Sequence, residues 1–250
     1  MHSHENLSDV AADQIRKHRT RLGLNREQLA EECARIGAPE LTYAAITNIE
    51  TGRRDKDGKR RREVTIDELM TFAYALGVPP LLLMVPLGSI DAVPSPARWG
   101  GGIHPHYLWR WITGEEPPAA VHSDGKIYVD GSKIGGEDGP GRLEVWHKVS
   151  VPADVYRSLQ AAQAALTKAS GNHHFAQVRH GDDAEATNTA YREYLDRLQE
   201  LARVLNEMVS LGLSVPSYST KWVEDMRKFS MLERPEAVQI FDPENEEDKA

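Results

Sequence analysis

The chain has 250 residues, of which 40% are hydrophobic and 27% are charged. This length suits one or two domains of ordinary size, and the composition excludes a disordered chain or a mini-protein scaffold. The sequence lacks the run of about 18 apolar residues that a membrane-spanning helix requires, and it begins without a secretory signal. The single cysteine, Cys33, has no partner for an internal disulfide. We therefore expect a cytoplasmic protein.

Charge is distributed unevenly along the chain. The whole sequence has a formal charge of −8, yet residues 11–62 contain 13 Lys and Arg against 8 Asp and Glu. The excess of five positive charges in this segment leaves −13 for the remainder. A basic segment in an acidic chain indicates contact with a polyanion, and a solvated charged surface is the alternative interpretation.

Five short helices are predicted before residue 85. Sparse apolar residues over 11–24 predict the first helix, which Gly23 ends, and Asn25 is a suitable N-cap for a second helix of about ten residues. The third is expected from Thr42 to Gly52. The apolar residues that it turns inward are Ala45, Ile46 and Ile49.

The fourth and fifth helices follow a basic loop. Thr65–Glu68 matches a capping box, and apolar residues then recur every three or four positions until Gly77. Pro79 predicts the start of a fifth helix that continues through Leu83. Residues 86–102 are rich in Pro and Gly, so we expect a linker there, with the domain boundary near residue 95.

Beyond the linker, the patterns are mixed. Residues 107–111 include three aromatic side chains, which we interpret as part of a core rather than as a ligand platform. The region 113–141 is rich in Gly and Pro. Lys126–Val129 and Leu143–Val149 are β-prone, so a small two-stranded sheet is expected.

The last hundred residues predict a helical hairpin. Apolar residues at helical spacing run from Val155 to Leu166 and from Tyr191 to Gly212, the second with a heptad repeat typical of a coiled coil. Ser170–Asp183 is the expected connecting loop, and Trp222–Phe229 a further short helix. An acidic tail follows over residues 236–250, and we expect it to be disordered from Asp242.

Four blocks within residues 15–83 carry a family resemblance. They are Arg19–Ala30, Thr42–Gly52, Leu69–Gly77 and the Pro/Leu-rich helix that follows. In this order they resemble the Cro/C1-type helix-turn-helix family, also called the XRE family, of phage repressors and bacterial regulators. The resemblance covers about a quarter to a third of the chain. It implies a lambda-repressor-like domain of five helices, over residues 11–85, whose third helix enters the major groove of DNA.

The resemblance places base contacts on the third helix at Tyr43, Ala44 and Asn48. The Asn48 amide has the chemistry to pair with an adenine edge, and Ala44 and the methyl group of Thr47 suit contact with a thymine methyl. Tyr43 is long enough to reach a base or a phosphate. These four side chains are the predicted base-contacting residues.

Phosphate contacts are expected from residues that flank the third helix. Arg26 stands where the family usually has a glutamine that approaches the DNA backbone. The loop 53–62 is longer and more basic than in the family, which indicates a phosphate clamp or an arginine in a narrow minor groove, with solvated charge as the alternative. The predicted phosphate-contacting residues are Arg26, Thr42, Thr51, Arg53, Arg54, Lys59, Arg60, Arg61 and Arg62.

Two further features relate to the family pattern. Arg19 and Glu50 match a pair that forms an internal salt bridge in the family, so we expect a structural role for both. The turn from Arg35 to Leu41 is a few residues longer than the family norm, which affects the register assigned to the third helix.

An enzyme in residues 96–250 is the main alternative class. The sequence has no His-Glu-x-x-His, Gly-x-Ser-x-Gly, P-loop or dinucleotide-binding motif. The heptad pattern also differs from the mostly β self-cleaving domain that some family members carry. Four histidines lack acidic partners at ligand spacing: His104, His106, His173 and His174. We therefore expect no enzymatic activity, no bound metal and no cofactor.

The sequence as a whole predicts a mainly α protein that regulates transcription. We expect it to act as a repressor. We expect it to bind a two-fold-related operator in double-stranded DNA as a homodimer. Residues 103–235 would form a mainly helical oligomerisation region, because the stripe Tyr191–Gly212 has more apolar residues than one partner helix covers. The alternative is coverage within the chain by the helix around Trp222. An antitoxin-like protein, whose C-terminal helices bind a protein partner, is the alternative function.

Overall fold

The computed structural model describes residues 6–56, 60, 62–88, 90–94, 102–117, 119–121, 127–129, 131–182 and 184–241. Within this part of the chain the fold is mainly α, as predicted, with ten α-helices and two small antiparallel sheets. The chain divides into two compact units, residues 1–146 and 147–250. The sequence predicts a domain boundary near residue 95. The division in the structure lies well beyond that residue, between residues 146 and 147.

The first unit begins with the five predicted helices: α1 (Leu7–Arg21), α2 (Arg26–Arg35), α3 (Tyr43–Thr51), α4 (Ile66–Ala75) and α5 (Pro80–Met84). Helix α1 starts before the predicted residue 11, because the side chain of Asn6 caps it by accepting from the Asp9 amide at 2.9 Å. Asn25 and Thr65 form the capping boxes of α2 and α4.

The core of these helices extends into the turn between α2 and α3. Ala38 and Leu41 are 7% and 1% exposed and join the core cluster. The longer turn is thus packed inward, and Thr42 directly precedes α3 as expected. The fully buried core side chains include Ile15, Leu29, Cys33, Ile46, Ile49, Phe72 and Leu83.

The prediction of a linker over residues 86–102 is wrong for the part of this range that the structure describes. Strand β1 (Val93–Pro94) pairs antiparallel with β2 (Gly102–Ile103), and helix α6 (Pro105–Ile112) follows. Val93, Ile103 and Leu108 are 1% exposed and form a second core cluster with Val10 of α1 and Val85. Only residues 95–101 and 89 of the linker lie outside the described residues. The proline-rich segment is therefore held by apolar contacts that are distant in sequence.

Helix α6 contains the aromatic cluster. Tyr107 and Trp111 are partly buried against the second core cluster, as the interpretation as core residues requires. Trp109 differs, since it is 36% exposed. The three rings therefore divide between the core and the surface.

One of the two predicted strands is correct. Strand β4 (Ile127–Val129) pairs antiparallel with β3 (Ala119–Val121). Leu143–Val149 is not a strand but lies in helix α7 (Arg142–Val149). The alternating apolar residues do not share a buried face there, because Val149 is 62% exposed and none of the residues of α7 is buried.

The second unit is built on a long helical hairpin. Helices α8 (Val151–His180) and α9 (Glu185–Ser210) lie antiparallel, and α10 (Thr220–Lys228) and a 3₁₀ helix (Pro235–Ala237) follow. The predicted loop Ser170–Asp183 is wrong, because α8 continues to His180. Ala169 and His173 are 1% and 8% exposed, so this segment packs against α9 instead of turning.

The heptad stripe of α9 is covered within the chain. Tyr194, Leu198, Leu201, Leu205 and Met208 are all 0% exposed. The side chains that complete this core come from α8, α10 and the segment after it: Val155, Leu159, Leu166, Val223, Met226, Leu232 and Val238. The expectation that a second chain covers the stripe is therefore wrong, and the alternative of coverage by the helix around Trp222 is correct.

The predicted acidic tail begins too early. Val238 is 1% exposed, and Ile240 forms a parallel β-bridge with Tyr218. Residues 236–241 therefore belong to the second unit, while residues 242–250 lie outside the described residues.

Candidate nucleic-acid interface

Helix α3 is fixed by a cap at its N-terminus, by a glycine at its C-terminus and by burial of its inner face. The Thr42 hydroxyl oxygen accepts from the Ala45 amide at 3.3 Å, which caps the N-terminus. Gly52 ends the helix with a left-handed φ of 58°. Ile46 and Ile49 are 0% exposed and fix the inner face in the core. The hydroxyl of Thr42, a predicted phosphate contact, is on the exposed end of the helix and still has its hydrogen to donate.

The outer face of α3 presents three of the four predicted base-contacting residues. Tyr43 is 50% exposed, Ala44 is exposed, and Asn48 is half-buried. The Asn48 amide makes no hydrogen bond to any residue that the structure describes, so both its donor and its acceptor are available. This face therefore combines an aromatic, a small and a bidentate side chain.

Thr47 departs from the prediction. Its hydroxyl oxygen is buried and has no hydrogen-bond partner among the described residues. In this conformation the hydroxyl is turned away from a base, and only the predicted contact of its methyl group with a thymine methyl stays open.

Replacing Thr47 by valine tests whether this hydroxyl is unsatisfied. The free energy of unfolding should stay the same or rise by about 1 kcal/mol, because an unsatisfied buried hydroxyl is replaced by a methyl group of similar size. Denaturant titration of the full chain measures this. The matched control is Thr71→Val on α4, whose exposed hydroxyl donates to the Asp67 carbonyl at 2.9 Å and whose removal should change the free energy of unfolding little. A loss of stability of about 1 kcal/mol or more in Thr47→Val alone would show that the Thr47 hydroxyl is satisfied.

Glu50 joins α3 to the first two helices. Arg19 Nε and Nη2 donate to its two carboxylate oxygens at 2.6 and 2.8 Å, and Arg26 Nε donates to Oε2 at 2.7 Å. The Glu50 side chain is 0% exposed. The hydrogen bond with Glu50 raises the pKa of the Arg19 guanidinium, so Arg19 stays charged. The expected Arg19–Glu50 salt bridge is confirmed.

Arg26, a predicted phosphate contact, is the second partner of Glu50. Its side chain is 30% exposed. Nε is the guanidinium atom with a hydrogen-bond partner among the described residues, so the other N–H groups can still donate. The carboxylate thus orients Arg26 at the edge of the α3 face.

The predicted cations of the basic loop have different surroundings. Arg53 is exposed and pairs with no acidic residue in the described ranges. Arg54 is 36% exposed and its Nη2 lies 3.2 Å from Asp9 Oδ2. Arg62 is 42% exposed and pairs with Glu68 at the N-terminus of α4. Lys59 and Arg61 lie outside the described residues.

Two further predicted phosphate contacts are used within the protein. The Arg60 side chain is 2% exposed and pairs with Asp9 at 2.7 Å, so its predicted role as a phosphate contact is wrong in this conformation. The Thr51 hydroxyl donates to the Thr47 carbonyl at 2.7 Å, although the residue is exposed. Asp9 is the residue that the sequence analysis missed. Its position in the first turn of α1 predicts only a favourable helix-dipole interaction.

Metal-binding clusters and reactive thiols are features of many enzymes. Among the described residues, no group of three or more His, Cys, Asp or Glu side chains is placed to hold a metal ion. Burial raises the pKa of the Cys33 thiol to about 11, so it is protonated at neutral pH. His173 packs against the rings of Tyr191 and Tyr194. Over the same residues, every helix is too short or too polar to cross a membrane.

Comparisons with known proteins give no assignment. Protein-family models, curated proteins and solved structures were all searched, and none of them matches this chain.

Proposed function

We propose that the chain is a sequence-specific transcriptional regulator of the Cro/C1 type that binds double-stranded DNA through α3. The observation that carries the proposal is the outer face of α3. It presents Tyr43, Ala44 and Asn48 on a helix whose opposite face is fully buried. An α-helix fits the major groove of B-DNA, where each base pair offers a distinct set of donors and acceptors.

Cations at the edges of this face support the proposal. Arg26 at the start of α2 and Arg53 after α3 flank the helix, and both have exposed surface. Contacts from such residues to phosphates fix the orientation of a protein on the duplex without reading its sequence. The proposed phosphate contacts among the described residues are therefore Arg26, Thr42, Arg53, Arg54 and Arg62.

We also propose that two copies bind one operator. A single recognition helix reads only a few base pairs, whereas two helices about 34 Å apart read two half-sites one helical turn apart. The buried stripe of α9 is not the contact between the copies, because its side chains are already covered. A pool of random duplexes selected with the full-length protein should yield a motif with two-fold symmetry.

Asn48→Ala and Tyr43→Ala should relax base preference on the selected duplex. Each should cost about 1–3 kcal/mol there, because a base contact is lost, and much less on a random duplex, because phosphate contacts are kept. Competition binding of the full chain to both duplexes measures the ratio of affinities. Tyr74→Ala is the matched control for Tyr43, since Tyr74 is 76% exposed on α4, away from the α3 face.

The comparison between duplexes separates specific recognition from general charge attraction. Equal losses on the selected and random duplexes would mean that other side chains read the bases. A wild-type protein that enriches no motif from the pool would contradict sequence-specific binding itself.

A further inference from the structure

Arg60 connects the basic loop to α1 and to the end of α3. Its Nη1 donates to Asp9 Oδ1 in the first turn of α1 at 2.7 Å. Its Nη2 donates to the carbonyl oxygen of Ile49 in the last turn of α3. Its Nε donates to the carbonyl oxygen of Arg62 at 2.7 Å. All three nitrogen atoms of the guanidinium group are therefore engaged inside the protein.

Burial makes this arrangement strong. The side chains of Arg60 and Asp9 are 2% and 11% exposed, so salt screens their attraction less than it screens a surface pair. The Ile49 carbonyl also accepts from the Gly52 amide at 3.2 Å. It lies at the end of α3, where a positive charge is favoured by the helix dipole. Arg60 thus binds the recognition helix at the end next to the basic loop.

Gly52 leaves the room that Arg60 needs. A Cβ atom at this position would lie 3.0 Å from Arg60 Nη1, closer than an ordinary contact. The left-handed φ of 58° disfavours other residues there as well. One glycine therefore both ends α3 and admits the arginine.

The same carboxylate holds both arms of the loop. Arg54 and Arg60 face each other in an antiparallel β-bridge, and Arg54 Nη2 lies 3.2 Å from Asp9 Oδ2. Arg53 and Lys56, next to the first arm, are exposed. The loop therefore has a buried attachment at its base and exposed cations beside it.

We propose that the Asp9–Arg60 pair is a positioning element that fixes the basic loop beside α3, so that Arg53 and Lys56 meet the DNA backbone. Arg60 itself does not contact DNA. This inference rests on the proposed DNA-binding function. It predicts an unusual sign: removing the negative charge of Asp9 weakens binding to a polyanion, whereas charge attraction alone would strengthen it.

Asp9→Asn in the full chain tests this sign. We expect affinity for the selected duplex to fall about tenfold, and the slope of log affinity against log salt to fall by about one for each loop cation that leaves the DNA. Asp13→Asn is the matched control. It also removes one negative charge from α1, but Asp13 lies one turn further along the helix and pairs with Arg16 at the surface. The control should keep or slightly raise the affinity.

Substitutions of Arg60 distinguish positioning from direct contact. Arg60→Gln should also weaken binding, and the loss in the double variant should be smaller than the sum of the two single losses, because both variants remove the Asp9–Arg60 pair. Arg60→Lys keeps the charge but loses the planar set of donors, so it should be as weak as Arg60→Gln. If Arg60→Lys retains the wild-type slope, or if Asp9→Asn strengthens binding, Arg60 contacts phosphate directly and the proposal is wrong.

Amide hydrogen exchange of the free proteins tests the attachment without DNA. Exchange over residues 53–56 and 62–64 should be faster in Asp9→Asn than in wild type or Asp13→Asn, while exchange in the core of α2 is unchanged. Unchanged exchange over the loop would overturn the proposed attachment. If wild type binds no duplex but exchange changes as expected, the attachment holds and the proposed function fails.

Discussion

Replacing Glu50 by alanine is expected to destabilise the first unit by about 3–5 kcal/mol, the usual effect of removing one partner of a buried ion pair. The carboxylate is 0% exposed and accepts from both Arg19 and Arg26. Without it, Arg19 keeps its charge in a site where its side chain is only 11% exposed. Such a loss is a large fraction of the total stability of an ordinary domain.

Amide hydrogen exchange in α2 and α3 of the full chain measures this effect, because the two compact units need not unfold together. Glu50→Gln should lie between wild type and alanine, since an amide oxygen still accepts a hydrogen bond but carries no charge. Glu32→Ala is the control. Its carboxylate also pairs with an arginine, Arg35, but on the surface of α2, so little change is expected.

Wild-type protection in Glu50→Ala would contradict the structural role of this carboxylate. With the predicted loss of stability, DNA binding should also weaken on every duplex, because Glu50 orients both α3 and Arg26. That pattern differs from the expected effect of Asn48→Ala, which spares random duplexes. Glu50→Ala therefore tests the packing that supports the outer face of α3, whereas Asn48→Ala tests the contacts of that face with the bases.

The helices of the first unit could be predicted because their signals are local. Asn25, Thr65 and Gly52 cap or end helices through bonds to residues a few positions away. Those short-range patterns also placed Tyr43 and Asn48 on the outer face of α3. Local signals are sufficient where helix ends and apolar periodicity agree.

Other parts of the fold depend on contacts that are distant in sequence. Val93 and Ile103 are buried against Val10, a contact that neither proline content nor periodicity reveals. In α8, Gly171 and Asn172 favour a turn locally, but burial of the neighbouring His173 against α9 keeps the chain helical. Tertiary packing decides both segments.

The site was predicted in its residue types better than in its orientations. The sequence identifies a basic loop after α3, yet Arg60 is buried because Asp9, 51 positions earlier, provides its partner. The hydroxyl of Thr47 likewise turns inward, although its position in α3 was placed correctly. Which of several equivalent charges faces solvent is set by such partners, and no spacing rule encodes them.

Leu198→Ala is expected to destabilise the second unit by about 2–5 kcal/mol, because it leaves a cavity in the centre of the hairpin core. Leu198 is 0% exposed, between Tyr194 and Leu201 on the stripe of α9. The Tyr194 hydroxyl donates to Asp225 of α10 at 2.6 Å, so this region also holds α10 in place. A cavity here therefore affects α8, α9 and α10.

Thermal unfolding of the full chain measures this loss. Amide hydrogen exchange in α9 reports on the second unit. Leu211→Ala is the matched control, since Leu211 follows α9 but is 47% exposed, so its truncation should change stability little. The midpoint for α9 should also be independent of protein concentration in wild type and variant, because the stripe is buried within one chain. A midpoint that rises with concentration and is lowered by Leu198→Ala would instead place the stripe between two chains, and the covered core described above would be wrong.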